Sequence, residues 1–328
     1  MDLNTIGEIA RPNPGDGTTD WREGDAWLAG GTWLFSEPQP HLRRLIDLQG
    51  LGWQPLTVSE QGLEIAATCQ IAKLVALTAP ADWTAAPLIG ECCRSFLSSF
   101  KIWNTATVGG NVCMSLPAGP MISLTVALEG ICRILNRDGS ERRVAVEDFV
   151  TGNHKNVLQP GDLLRSIDLP VSALRKRTCF RRISLTHLGR SAALLAGTLD
   201  PRDGVFMLTV SASTERPHRL KFPKLPGADD LRARLEREIP KFFDDSPTSP
   251  FLPEEVESDQ LGSIGESALT WISVIKCEKA GRITPARLQL RICAALQARV
   301  DGIPTWVCRS NPCIPCRNRT DTCRLAVA

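Results

Sequence analysis

Two glycine pairs, Gly30-Gly31 and Gly109-Gly110, constrain this chain more than any other feature. Glycine lacks a Cβ and takes positive φ, so backbone at each pair can turn tightly and come close to another segment or to an anion. Each pair carries a threonine, Thr32 after the first and Thr107 before the second. Successive amides at two such turns can converge on one diphosphate, with the hydroxyls as further donors. The plainer alternative is that each pair only terminates a strand.

The flanking pattern predicts a mixed α/β chain. Apolar residues 26–28 predict a strand that enters the first pair, 44–48 a second, and 62–66, alternating with period two, a third. Thr68 is placed to cap a helix carrying Ile71, Leu74 and Val75. Residues 86–100 read as helical and lead towards the second pair. The run 121–128 is apolar on nearly every face and predicts a buried helix. Residues 131–135 and 143–146 flank Asp138-Gly139 and predict a hairpin, and a strand over 163–169 ends at Pro170. Past a basic patch, Arg175-Lys176-Arg177, a further domain is expected. It holds a strand at 205–211 behind Asp203-Gly204 and a helix with Leu231, Leu235 and Ile239 on one face, stopped by Pro240.

Composition excludes several classes. The net charge of +2 is too weak to imply nucleic acid or an anionic membrane as partner. No window approaches the roughly 20 apolar residues of a membrane helix, and the polar first residues, with Asp2 and Glu8, do not form a signal peptide. A cytoplasmic location is the resulting expectation. Cysteines such as Cys69, Cys113 and Cys132 lie in apolar runs among the twelve of the chain and read as small buried hydrophobes. The chain has no tyrosine, so aromatic stacking on a cofactor falls to tryptophan or phenylalanine. No G-x-G-x-x-G follows a strand, there is no P-loop, and no G-x-S-x-G elbow occurs. His41, His154, His187 and His218 are dispersed, with no metal-binding spacing.

Taken in order, Ala29-Gly30-Gly31-Thr32, Ala106-Thr107-Val108-Gly109-Gly110-Asn111 and Leu116-Pro117-Ala118-Gly119 before an apolar helix form a specific series. Leu158-Gln159-Pro160-Gly161-Asp162-Leu163-Leu164 ahead of a strand, and Thr214-Glu215-Arg216-Pro217-His218-Arg219-Leu220, extend it. The series resembles the FAD-binding (medium) subunit of the molybdenum hydroxylases, the xanthine and carbon monoxide dehydrogenase family, over about residues 24–245.

The resemblance implies an α/β (α+β) fold: a two-lobed FAD-binding domain of the PCMH/CO-dehydrogenase flavoprotein type, then a small α/β domain. The FAD-binding domain would be 1–170, with lobes of about 1–80 and 81–170, the C-terminal domain 171–245, and 246–328 a tail of uncertain order. The cofactor implied is FAD, held at the phosphates and ribityl chain by Ala29, Gly30, Gly31, Thr32, Thr107, Gly109, Gly110 and Asn111. Ser115 would add a polar contact and Leu164 would lie beside the isoalloxazine. The partners implied are a molybdenum-cofactor subunit and an iron–sulfur [2Fe-2S] subunit, with NAD+ or another acceptor taking the electrons. The flavin carries the chemistry, so no catalytic residue on this chain is required. Either Arg181 or Arg182 would face the flavin's pyrimidine edge, unless both belong to a solvated basic stretch.

Three positions depart from the family pattern. Trp33 replaces a small polar residue, Trp103 an arginine, and Pro120 an aspartate able to bond the ribityl hydroxyls. The tryptophans read as core residues, with flavin packing as the alternative. In the tail, Cys308-x4-Cys313-x2-Cys316-x6-Cys323 has part of an iron–sulfur or zinc spacing, but few glycines to wrap a cluster, and no metal is assigned. The segment past Asp245 reads equally as the product of a shifted frame. Two other functions stay open: a free-standing flavin oxidase or dehydrogenase, which needs a base the chain does not nominate, and a scaffold subunit that has lost FAD.

Overall fold

A computed structural model of the chain describes residues 3–14, 21–184 and 188–239. The segment beyond residue 239, with the cluster Cys308, Cys313, Cys316 and Cys323 and the stop at Pro240, lies outside the described residues.

The first sheet is parallel. Strands β1 (Glu8–Ala10) and β2 (Asp25–Leu28) flank β3 (Arg44–Asp47). Its charged centre is closed by the Asp25 carboxylate, which accepts from Arg44 Nε at 2.9 Å and NH2 at 2.5 Å, both side chains being buried. The Leu48, Leu51 and Leu163 side chains, with Trp27 and Ala29 against them, join this sheet to the next.

The second sheet is antiparallel, in the order β4 (Leu56–Ser59), β5 (Gly62–Ala66), β10 (Leu163–Pro170), β6 (Ile131–Leu135) and β7 (Glu141–Ala145). The 62–66 and 131–135 strands fall where the sequence predicts, and Gly139, at φ +83°, makes the hairpin turn. Strands β4 and β5 pair into this sheet and not into the first.

One face of this sheet carries the helices α1 (Ile71–Val75), α2 (Ala86–Ser95), α3 (Phe100–Trp103), α4 (Val108–Met114) and α5 (Pro120–Ala127). All eight α5 residues are buried, as an all-round apolar sequence requires. Thr68 does not cap α1; that position belongs to Gln70, which makes no side-chain cap bond. The expected helix over 86–100 ends at Ser95, and Phe96 to Ser99 form a loop before α3. The short helix α6 (Val146–Phe149) and the hairpin β8 (Val150–Gly152) and β9 (Lys155–Asn156) follow β7.

After α7 (Val171–Leu174) comes a four-stranded antiparallel meander: β11 (Arg177–Ile183), β12 (Ala193–Leu199), β13 (Phe206–Ser211) and β14 (His218–Phe222). Helix α8 (Ala228–Glu238) follows, with Leu231 and Leu235 buried on its inner face and Ile239 buried just beyond. The meander covers α5: Ser123 and Ser211 hydroxyls meet at 2.6 Å, and Ala212 N–H donates to the Pro117 carbonyl at 2.8 Å. Ion pairs add to that seam, Glu129 taking both Lys176 (2.7 Å) and Arg219 (3.2 Å). Among the described residues no helix is long and apolar enough to cross a membrane.

Candidate functional site

The first glycine pair ends β2 and the second begins α4, and tertiary packing brings them together. A Cβ at Gly30 would stand 2.1 Å from the Thr105 carbonyl oxygen and 3.2 Å from Ala106 Cα. Only glycine admits that approach, and it sets the Gly30-Gly31 turn against the segment that leads into Thr107.

The two turns differ in what their amides do. Gly31 sits at φ +68° and its carbonyl accepts from Phe35 N–H at 2.9 Å, which closes one helical turn. The amides of Gly31, Thr32, Trp33 and Leu34 have no hydrogen-bond partner among the described residues. Successive unpaired amides in such a turn form a nest for an anionic oxygen. Ala29, Gly30, Gly31 and Thr32 are all partly accessible.

At the second pair the sequence suggests a turn, and the structure instead has the first turn of α4. Its amides are occupied from inside. Val108 N–H donates to the Cys69 carbonyl (2.8 Å), Gly109 N–H to the Ala67 carbonyl (3.1 Å) and Asn111 N–H to the Thr107 carbonyl (3.0 Å). Gly110 N–H donates to Thr107 Oγ1 at 3.0 Å, the ordinary N-cap bond. Thr107 is 2% exposed. Gly109 serves packing, since a Cβ there would lie 2.6 Å from Ala67 Cα.

Beside these turns opens a cleft of about 470 Å³, within the ordinary range for a ligand site. Trp33 and Glu37 line it from the first turn, Phe96 and Leu97 from the loop after α2, and Asn111 from α4. Gly119 and Pro120 form its floor at the start of α5, Asn153 and His154 come from the β8–β9 turn, and Leu188, Arg190 and Ser191 from the loop before β12. Asn111 Oδ1 accepts from Met121 N–H at 3.1 Å and so fixes α5 to α4.

Several sequence expectations are displaced. Ser115 is fully buried; its hydroxyl donates to the Val112 carbonyl at 3.1 Å and it does not line the cleft. Leu164 is 2% exposed inside the core, opposite Ile134 in the sheet. Arg182 holds the 188–191 loop, donating to the Gly189 carbonyl and to Ser191 Oγ (3.0 Å), and desolvation lowers its pKa. Arg181 acts on Glu91 of α2, whose carboxyl burial pushes up while Arg94 and Arg181 pull it down. Trp103 is a core residue as expected, its Nε1 donating to the Phe96 carbonyl at 3.0 Å, whereas Trp33 lines the cleft.

The buried thiols are inert by the same physics: desolvation raises Cys69 to about 12 and Cys132 well above its ordinary value. Among the described residues no group of three His, Cys, Asp or Glu side chains is placed to hold a metal. The residues sequence reasoning missed are His154, Asn153 and the 188–191 loop, which come from distant elements and carry no local motif.

Of the glycine-turn and helix-start residues expected at the site, Asn111 alone lines the cleft, while Trp33 and Glu37 reach it from just beyond the first turn. Residues 21–172 match the family model described as the FAD binding domain in molybdopterin dehydrogenase. Its cofactor is FAD. Over 127 residues the chain is 28% identical to Xanthine dehydrogenase 2 of Arabidopsis thaliana, covering 35% of this chain and 9% of that protein. It is 28% identical over 177 residues to the carbon monoxide dehydrogenase medium chain of Afipia carboxidovorans, covering 52% of this chain and 54% of the relative. The match thus spans at most about half of either relative. The reconstituted CO dehydrogenase from Oligotropha carboxidovorans has the same fold, with a TM-score of 0.68 at 20% identity, over 82% of this chain and 96% of that one.

Proposed function

We propose that the chain is the flavin subunit of a molybdenum hydroxylase, holding FAD between iron–sulfur clusters on one partner chain and an external acceptor, NAD+ or another oxidant. A molybdenum-cofactor subunit and a [2Fe-2S] subunit are the partners this requires. The observation that carries the reading is the contact of Gly30 with Thr105 and Ala106, which sets a turn of unpaired amides beside the cleft.

The residues present fit the cofactor. The amides of Gly31, Thr32, Trp33 and Leu34 supply donors for the diphosphate and Thr32 a hydroxyl, while Ala29 leads into the turn and Gly30, packed on the Thr105 carbonyl, holds it in place. Thr107, Gly109 and Gly110 act one layer behind, holding α4 so that Asn111 faces the cleft. Ser115 and Leu164 support that wall from the core. When bound, FAD would supply two-electron redox chemistry. The chain's own residues bind it, orient it and keep water from one side, and none needs to move a proton. Pro120 offers no carboxylate to the ribityl hydroxyls, which removes one hydrogen bond, about 1 kcal/mol. The purified full-length protein should show flavin absorbance, or acquire it on titration, and release FAD on denaturation. A colourless protein that takes up no FAD overturns the proposal.

A further inference from the structure

We infer that Trp33 and His154 form an aromatic side wall against which the isoalloxazine ring of the bound FAD packs; this rests on the proposal that the cleft is the flavin site. The two rings stand 5.3 Å apart, centroid to centroid, tilted by 45°, and both line the cleft. They come from unrelated elements. Trp33 is fixed by the helical turn closed between Gly31 and Phe35, and its own carbonyl accepts from Ser36 N–H and Oγ. His154 is held in the β8–β9 turn at φ +55°, a left-handed conformation that histidine adopts more readily than most side chains, with its N–H bonded to the Ser115 carbonyl at 3.1 Å.

In a chain with no tyrosine, few rings can meet a flat heterocycle, and these two meet each other in the cleft instead of entering the core. The rest of the lining mixes apolar side chains, Phe96, Leu97 and Leu188, with polar ones, Asn111, Asn153 and Ser191, as a ring system with one apolar end and one hydrogen-bonding edge requires. Indole in contact with a flavin quenches its emission by electron transfer, which gives a readout independent of turnover.

The test titrates the full-length protein and its Trp33→Leu, Trp33→Phe and Trp53→Leu variants with FAD, riboflavin and ADP, following flavin emission and heat of binding. Trp53, with the Arg165 guanidinium 4.4 Å over its ring, is not among the residues lining the cleft and serves as control. Trp33→Leu is expected to weaken FAD and riboflavin by about tenfold while leaving ADP within about twofold. Emission of its bound flavin should rise by about threefold or more. Trp33→Phe keeps a ring and should hold FAD within about threefold of the parent, with emission still raised. If the parent binds FAD and Trp33→Leu changes neither affinity nor emission, the wall is overturned and the FAD site stands. A loss confined to ADP also overturns it. A parent that takes up no FAD overturns both.

Discussion

At Gly30-Gly31 the chain leaves a strand, and the amides from Gly31 to Leu34 point to no protein partner. At Gly109-Gly110 it enters a helix, and the amides from Val108 to Asn111 all have one. The two pairs look alike in sequence, yet one is an open turn and the other a packed one. The difference arises in what each is laid against. At the first pair Gly30 is packed on the Thr105 backbone while Gly31 turns away at φ +68°; at the second Gly109 is packed on the backbone of residue 67 and the helix amides are bonded inward. Glycine does two jobs here: Gly30 and Gly109 each admit a close backbone neighbour, while Gly31 makes the turn that leaves its donors free.

Breaking the support of the open turn should have the largest effect. Asp25→Ala leaves Arg44 buried without its main partner in the sheet that carries the turn, and should cost about 3 kcal/mol in denaturant unfolding, the lower end for breaking a buried pair. The pair also predicts acid lability. The Arg44 guanidinium, then the Arg22 amide, hold the Asp25 carboxyl below its ordinary 3.8. A depressed carboxylate stabilises the fold above that ordinary value and stops doing so as pH falls through the lowered one. Asp25→Asn should therefore lose that part of the acid-side slope. An unchanged unfolding curve for Asp25→Ala would show that the ion pair does not support the turn.

Next in size is Gly109→Ala. The new Cβ meets Ala67 at 2.5–2.6 Å, mostly backbone that cannot swing away, so stability should fall by about 1–3 kcal/mol. The protein that remains folded should still bind FAD. Normal melting with FAD uptake abolished would reverse the comparison, making the second pair the ligand turn.

Gly31→Ala sharpens it from the other side. Alanine at φ +68° is strained by about 1–2 kcal/mol, although the half-exposed Phe35 ring can move aside. Here FAD affinity should fall by more than the melting temperature shift explains, as measured by flavin titration. Thr107→Ala should have the smallest effect. It removes the N-cap bond to Gly110 and should cost about 1 kcal/mol in unfolding, with Thr107→Ser restoring most of it.

Legibility followed the same division. Strands β2, β3, β5, β6 and β10 and the buried helix α5 were readable because their periodicity is local and one face or every face is apolar. Strand β12 was not, although all seven of its residues are buried, because Ala193–Leu199 has no alternation and a glycine at 197 that reads as a break. In the structure Gly197 is required where Cys179 and Phe206 close in, a Cβ there standing 2.7 Å from the Cys179 sulfur. Helix α4 was missed because two glycines in its first turn lower its helix propensity, and tertiary packing overrode that preference.

The order of motifs along the chain was enough to point to an FAD-binding domain, which the family match over residues 21–172 supports, since short backbone signatures survive in linear sequence. Which glycine pair keeps its donors, that Ser115 and Leu164 turn inward, and that Trp33 faces His154 across a cleft were decided only by the tertiary structure. The reason is physical: an amide is free or occupied according to what packs against it, and here those neighbours, Ala67, Cys69 and Thr105, lie far away or on a different element.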